Sequence, residues 1–108
     1  ARKMIDAGCA VALGSDLNPG SCFSASVPLM FALATLYMGM TVEEAITALT
    51  INGAAAIGRA DTIGSIEPGK KGDLVVLQYP SYKFLSYHFG MNLVEHTVKG
   101  GRVVYTNS

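Results

Sequence analysis

Apolar and polar positions divide this chain into a first part with helical patterns and a second part with strand patterns. The earliest clear signal is the run Cys9–Leu13, which is apolar throughout and is followed by the turn-forming segment Gly14–Gly20. A short apolar run that stops at a turn is typical of a strand buried on both faces. We therefore predict a buried strand at Cys9–Leu13. The residues before it are typical of the last turns of a helix that ends at Gly8.

The next apolar segment predicts a long helix. Ser26 is a good N-cap residue, Pro28 suits the first turn, and apolar residues continue over Val27–Met38 until Gly39 ends the pattern. A helix this apolar is expected to be buried on most of its sides. The side chains expected in the core here are Met30, Phe31, Met38 and Met40.

Two shorter helices are predicted to follow. Thr41 and Glu44 have the spacing of a capping box, in which each side chain binds a backbone N–H at the start of a helix. Asn52 is expected to cap a further, alanine-rich helix over Gly53–Ile57.

After the helices the pattern favours strands. The apolar run Leu74–Leu77 follows a turn, and the segments Val94–Lys99 and Arg102–Tyr105 flank two consecutive glycines. Two glycines are a typical connection for a tight hairpin. The intervening segment Tyr79–Met91 is aromatic and contains a proline, so we predict a loop with room for one helical turn.

The composition indicates one soluble globular domain. Half of the 108 residues are hydrophobic, and eight basic side chains balance eight acidic ones without forming a charged run. Nucleic acid and anionic membranes are therefore not expected partners. Cys9 and Cys22 lack the spacing of a metal or redox motif, so we predict free thiols, with Cys9 buried, in a cytoplasmic protein without a leader peptide. Because the chain begins without Met, we expect it to be the tail of a longer protein.

Asp16 is the leading candidate for chemistry. It is the lone carboxylate directly after the predicted buried strand. In α/β barrels and open α/β sheets, catalytic groups lie at the carboxyl ends of such strands. Asp16 fits equally well as a residue that starts the turn or caps the following helix, so the pattern alone leaves both roles open.

Several motifs together carry a resemblance to a known family. In order, they are GSD, NPGS, TVEEA, NGAAAIG and GSIEPGKKGDLVVL. This order resembles the C-terminal part of the amidohydrolase superfamily, whose members are metal-dependent hydrolases with a distorted TIM barrel and an accessory β-sandwich. ALGSDLNPGS and YHFGMNLVEHTVKGGRVVY further resemble the imidazolonepropionase family, and the likeness covers essentially the whole chain.

The resemblance implies an α/β fold. Residues 1–60 would form the end of a TIM barrel, with its last strand and the following helices, and residues 61–108 would form the C-terminal part of the small β-sandwich. The resemblance implies that the parent enzyme hydrolyses the lactam C–N bond of 4-imidazolone-5-propanoate in histidine degradation and releases N-formimino-L-glutamate. It also implies a homo-oligomer. A barrel strand without neighbours leaves backbone groups unpaired, so we expect the isolated chain to associate.

The resemblance implies roles for four loop residues. Asp16 matches the family position that ligates or approaches a catalytic zinc or iron and serves as acid and base for the attacking water. A carboxylate suits this role because it is ionised at neutral pH and can pass a proton to the leaving nitrogen. Asn18, Gly20 and Ser21 match positions that contact the substrate through an amide, a close backbone approach and a hydroxyl. The helix start near Val27 would favour the anionic propionate.

The family's HxH pair and its other barrel ligands are absent from this sequence. A catalytic zinc normally has three protein ligands, and Asp16 supplies one. We therefore expect the isolated chain to bind no metal and to be inactive on imidazolonepropanoate.

Other candidates are interpreted as structural. His88 and His96 are expected in the loop and the β part, Asp73 is expected to serve a turn, and Lys70 and Lys71 are expected in a solvated turn. The aromatic residues expected to pack against the β part are Tyr82, Tyr87 and Phe89.

Two alternative functions remain open. One is a different superfamily enzyme, such as a cyclic-amidine deaminase or a dihydroorotase-like hydrolase, and the NPGS motif speaks against it. The other is a non-catalytic fragment that assembles with partner chains or acts as a scaffold.

Overall fold

The first part of the chain folds into four short helices. In the computed structural model, which describes residues 1–86, 88 and 91–107, α1 spans Arg2–Asp6, α2 spans Val27–Tyr37, α3 spans Val42–Leu49 and α4 spans Ile51–Ala56. Gly8 follows α1 with a φ of +90°, which confirms its predicted place at the helix end. No helix in the described part of the chain has the length and hydropathy needed to cross a bilayer.

Helix α2 confirms its predicted cap and corrects its predicted burial. The Ser26 hydroxyl accepts a hydrogen bond from the Leu29 N–H at 3.3 Å, and the helix ends at Tyr37, one residue earlier than predicted. Phe31 is buried, but Leu36 and Tyr37 are 56% and 81% exposed. The expectation of burial on most sides is wrong, because α3 and a short 3₁₀ helix cover only part of this helix. Met38 is likewise exposed and Met30 is only half-buried, so neither is a core residue.

Helix α3 has the predicted capping box. The Thr41 hydroxyl accepts the Glu44 N–H at 3.1 Å, and the Glu44 carboxylate accepts the Thr41 N–H at 2.8 Å. The predicted cap of α4 is wrong. This helix begins at Ile51, its N-cap Thr50 makes no side-chain cap bond, and Asn52 lies inside the helix with its side chain bonded elsewhere.

The hydrophobic core lies between α2 and α3. Its buried members are Phe31, Ala34, Met40, Ala45 and Ala48, and the half-buried Val11 and Leu13 pack against them. Helix α1 is attached to this core by the packing of Ile5 and by an ion pair. The Arg2 guanidinium donates two hydrogen bonds to the Glu44 carboxylate, at 2.6 and 2.9 Å.

The predicted strand Cys9–Leu13 is wrong as a strand of this chain. Its residues form neither a helix nor a ladder in the structure, and Cys9 is exposed rather than buried. A strand requires a neighbour for its backbone N–H and C=O groups. None of the described strands lies beside this segment, and of its side chains only Val11 and Leu13 pack against the core.

The second part of the chain forms the predicted three strands. β1 spans Leu74–Leu77, β2 spans Val94–Lys99 and β3 spans Arg102–Thr106, one residue longer than predicted. They form one antiparallel sheet in the order β1-β2-β3. The predicted helical turn is a 3₁₀ helix at Tyr82–Ser86, while Tyr87 and Phe89 lie outside the described residues.

Polar side chains secure the turns around the sheet. The Asp73 carboxylate accepts the Gly100 N–H at 2.9 Å and the Lys99 ammonium at 2.6 Å, so it ties the hairpin to the start of β1 and has the predicted role in a turn. Lys70 differs from the expected solvated residue. Its side chain is only 12% exposed, because the ammonium reaches back to the Ser65 hydroxyl at 2.7 Å.

Candidate active site

The loop after Leu13 holds the candidate carboxylate in an unusual backbone conformation. Asp16 is exposed and has a φ of +53°, and it is the only non-glycine residue with positive φ in the described part of the chain. Aspartate is among the few residues that tolerate this left-handed region. Non-glycine residues in such conformations cluster at functional sites, where the surrounding structure holds them in place.

Asn18 organises this loop. Its side-chain oxygen accepts the N–H groups of Gly20 and Ser21 at 2.9 and 2.8 Å, and its side-chain nitrogen donates to the Asp16 carbonyl at 2.6 Å. The backbone N–H of Asn18 also donates to the Cys22 carbonyl at 2.8 Å. One amide side chain therefore links the backbone on both sides of the turn.

Gly20 and Ser21 complete the turn. A Cβ on Gly20 would lie 3.2 Å from the Asn18 side-chain oxygen, which is closer than ordinary van der Waals contact. The Ser21 hydroxyl is exposed and lies 3.3 Å from the same oxygen. Residues 16, 18, 20 and 21 are thus brought together, and the bonds among them are those of a well-ordered turn.

Cys22 secures the base of the loop. Its half-buried thiol donates to the Ser15 carbonyl at 3.2 Å, next to the candidate carboxylate. Both cysteines are free thiols, as predicted.

Asp16 is the one carboxylate of the loop. Within the described ranges, no three His, Cys, Asp or Glu side chains converge in a way that could hold an ion. The donors among the described residues therefore do not form a complete zinc site, which takes three protein ligands in catalytic centres.

The two histidines lie in other surroundings. His88 stacks on Tyr79 with ring centroids 4.9 Å apart, and Phe84 lies 5.7 Å from it. His96 is in β2, where its ring nitrogen lies 3.0 Å from the Thr106 hydroxyl. His88 thus lies in the predicted loop and His96 in the predicted β part.

Two cavities lie apart from the candidate residues. A cavity of about 650 Å³ lies between α4 and the sheet, and one of about 230 Å³ lies beside α3. Neither is lined by Asp16, Asn18, Gly20 or Ser21. Asp16, Gly20 and Ser21 are exposed and Asn18 is half-buried, so the candidate residues lie on the surface of this chain.

The contacts that hold Cys9–Leu13, the segment before the loop, could not be predicted from the sequence. The Asn52 side chain donates to the Val11 carbonyl at 2.9 Å, and the Leu13 N–H donates to the Ala48 carbonyl at 3.1 Å. The sequence suggests a helix cap at Asn52 because Asn is a common capping residue. The local pattern carries no signal for a partner 41 residues away.

Comparisons with known proteins match the whole length of this chain. A family model described as the amidohydrolase family matches residues 1–104. An imidazolonepropionase of Parabacteroides distasonis is 72% identical over 95% of the chain and 25% of its own length. The imidazolonepropionase of Clostridium tetani is 69% identical over 100% of the chain and 26% of its own length. The chain thus spans about a quarter of these curated relatives.

Solved structures show the same fold. The crystal structure of an amidohydrolase from Thermotoga maritima superimposes with a TM-score of 0.76 at 31% identity, over 98% of this chain and 25% of that one. Guanine deaminase of E. coli superimposes with a TM-score of 0.72 at 24% identity, over 99% of this chain and 30% of that one. At 24% identity the second likeness shows the fold alone.

Proposed function

This chain belongs to the amidohydrolase family, and we propose that it forms part of an enzyme that hydrolyses 4-imidazolone-5-propanoate to N-formimino-L-glutamate. One observation carries the proposal. Relatives that are 72% and 69% identical across 95% and 100% of the chain are imidazolonepropionases. The reaction adds water across the lactam C–N bond, so that the carbonyl carbon gains oxygen and the nitrogen gains a proton. It belongs to histidine degradation.

Asp16 is the proposed acid and base. It takes a proton from the attacking water and delivers it to the lactam nitrogen as the C–N bond breaks. Its exposure and its left-handed backbone, held by the Asn18 amide, support this role. A general base must lie within hydrogen-bond reach of the proton that it takes. The hydrogen bonds of the turn fix the backbone position from which the Asp16 carboxylate would do so.

Asp16 is also the one residue here proposed as a ligand to zinc or iron. Carboxylate oxygen is an accepted ligand for either metal. The remaining ligands would come from parts of the enzyme that this chain does not include. A metal held there would supply Lewis-acid chemistry for polarising the carbonyl and activating water. The isolated chain is accordingly proposed to be inactive.

Asn18, Gly20 and Ser21 are the proposed substrate contacts. The Asn18 nitrogen has two N–H groups, and the bond to Asp16 uses one of them. The second can donate to an oxygen of the imidazolone ring. The exposed Ser21 hydroxyl can donate to the propanoate carboxylate once it turns away from Asn18. Because Gly20 has no side chain, the turn forms without a clash against the Asn18 oxygen and a substrate can approach the backbone closely.

The helix α2 is proposed to contribute its positive end to the same anionic group. Its start offers few free donors, because Ser26 takes the Leu29 N–H and Pro28 has none. The contribution is therefore that of the helix dipole rather than of direct hydrogen bonds.

We also propose how the chain divides into domains, where the protein is located and that it self-associates. Residues 1–60 would complete the barrel and residues 61–108 the accessory sandwich, in keeping with the change from helices to strands between α4 and β1. A cytoplasmic location fits the two free thiols. Self-association fits the exposed aromatic side chains of Phe23 and Tyr37, which are 82% and 81% exposed.

The catalytic role is tested by Asp16→Asn in the complete enzyme. The substitution keeps the size and removes the proton acceptor, so kcat should fall at least about 100-fold while KM changes little. Asp61→Asn is the matched control, since Asp61 is an exposed acid in the turn after α4, and its kcat should stay within about twofold of the parent's. A near-normal kcat for Asp16→Asn would remove this residue from the reaction.

The binding role is tested by Ser21→Ala. Loss of one neutral hydrogen bond, worth about 1 kcal/mol, should raise KM about fivefold and leave kcat nearly unchanged. A fall in kcat without a change in KM would contradict a role in ground-state binding.

A further inference from the structure

Asn52 makes a contact that its own helix does not require. It lies in the first turn of α4, and its side chain donates across 41 residues to the Val11 carbonyl at 2.9 Å. Asparagine has a low helix propensity, so its place inside a helix indicates that its side chain makes a favourable contact elsewhere. The bond to Val11 is that contact, and it joins α4 to the segment that leads into the Asp16 loop.

A second bond holds the same segment to the same pair of helices. The helical path is broken at Thr50, where φ is −115° and ψ is −93°. Carbonyl groups in the last turn of a helix need partners outside it, and the Ala48 carbonyl accepts the Leu13 N–H at 3.1 Å. Ala48 is only 1% exposed, so this bond is made at the edge of the core.

The two bonds hold the segment that leads into the Asp16 loop against α3 and α4. Val11 and Leu13 are each bonded once to α3 or α4, and their side chains also pack against the core. Leu13 is three residues from Asp16. The point from which the loop that carries Asp16 leaves the core is therefore set by the end of α3 and by one side chain of α4.

We infer that Asn52 is a positioning residue for Asp16, acting through the Val11 carbonyl. The inference rests on the proposed function, because it assumes that Asp16 takes part in the reaction. It requires an N–H donor at this position. A carboxylate of the same size has no donor and would place its oxygens against the Val11 carbonyl oxygen.

The kinetic test compares Asn52→Asp and Asn52→Ala with the parent in the complete enzyme. Displacement of a catalytic group by about 1 Å can cost about 100-fold in rate. We expect kcat to fall about 10- to 100-fold in both variants, with KM changed less than about threefold. Asn92→Asp is the matched control, because it makes the same chemical change at an exposed side chain that bonds only to residues of the sheet, donating to the Tyr105 hydroxyl and accepting the Val94 N–H. Its kcat should stay within about twofold of the parent's.

A double-mutant cycle separates positioning from general stability. In an enzyme that already carries Asp16→Asn, addition of Asn52→Asp should lower kcat no further, since the group being positioned has lost its function. Multiplicative losses from the two substitutions would overturn the inference and show that Asn52 serves only the fold. A normal kcat for Asn52→Asp, with Asp16→Asn still defective, would also overturn it. A normal kcat for Asp16→Asn would instead overturn the proposed role of that residue.

A second measurement needs no activity. In the 108-residue chain, hydrogen exchange at the Leu13 amide should be at least about tenfold faster with Asn52→Asp than in the parent, while amides of β2 exchange at the parent rate. Unchanged exchange at Leu13 would overturn the inference whatever the kinetics show. Equal acceleration at Leu13 and in β2 would also overturn it, because it would report general destabilisation.

Discussion

Gly64→Ala tests how closely the chain after α4 approaches that helix. Gly64 has a φ of +95°, and a Cβ there would lie 2.7 Å from the Ala54 Cβ, 3.0 Å from the Ile51 Cα and 3.2 Å from the Thr50 carbonyl oxygen. Ala54 is only 5% exposed, and the other two atoms are backbone, so none of them can move aside easily. The added methyl group must shift α4 or the loop.

The expected loss of stability has two parts. Positive φ costs a residue with a Cβ about 1–2 kcal/mol, and overpacking a close contact costs a further amount of about 1–3 kcal/mol. Gly58→Ala is the matched control, because Gly58 has a φ of +72° and a Cβ added there would meet no atom within 4 Å. Gly58→Ala should therefore lose only the backbone part, about 1–2 kcal/mol.

The assay is urea unfolding of the chain and both variants, followed by far-ultraviolet circular dichroism. The free energies of unfolding should rank the parent above Gly58→Ala and Gly58→Ala above Gly64→Ala, with similar m-values. Equal losses in the two variants would refute the close approach of Gly64 to α4. A more stable Gly64→Ala would refute both parts of the reasoning.

Two further predictions concern the core and the acid stability of the helical part. Phe31→Ala should lower the free energy of unfolding by about 3–5 kcal/mol, because Phe31 is 1% exposed. The control Phe23→Ala, at a side chain that is 82% exposed, should change this free energy by less than about 0.5 kcal/mol. Similar losses for the two variants in urea titrations would contradict the assigned core. The Arg2 guanidinium, with the Thr41 N–H, lowers the pKa of Glu44 from 4.5 to about 2. The stabilisation that the ionised Glu44 carboxylate gives the folded chain is therefore complete above about pH 4.5 and is lost as the pH falls towards 2. Glu44→Gln should flatten the plot of the free energy of unfolding against pH in that range. An unchanged plot would contradict the ion pair.

The elements that could be predicted from the sequence are those with local causes. The capping box of Thr41 and Glu44 depends on two residues three positions apart, and it is present in the structure. The hairpin of β2 and β3 depends on two glycines that adopt positive φ, at +58° and +78°. Ser26 and Gly8 mark helix ends for equally local reasons.

The elements that could not be predicted depend on distant partners. The apolar run Cys9–Leu13 has the composition of a buried strand, but a strand exists only beside another one. The exposed face of α2 has the same composition as its buried face, so the pattern cannot show which side is covered. Asn52 has the residue type of a cap, and its partner Val11 is distant in the sequence.

The candidate site can be predicted as a set of residues but not as a geometry. The sequence places Asp16, Asn18, Gly20 and Ser21 in one turn, and the structure brings them together there. The positive φ of Asp16 has no local signature, since aspartate only tolerates this region. Their roles toward a substrate remain predictions.

Product analysis of the complete enzyme tests the central claim most directly. The enzyme is incubated with 4-imidazolone-5-propanoate, and the product is identified by mass spectrometry while ammonia is measured in parallel. The account predicts a product that has gained one water molecule, with the formimino group on the glutamate nitrogen and no ammonia released. Unchanged substrate would contradict the account, and so would release of ammonia, which would point to a deaminase instead.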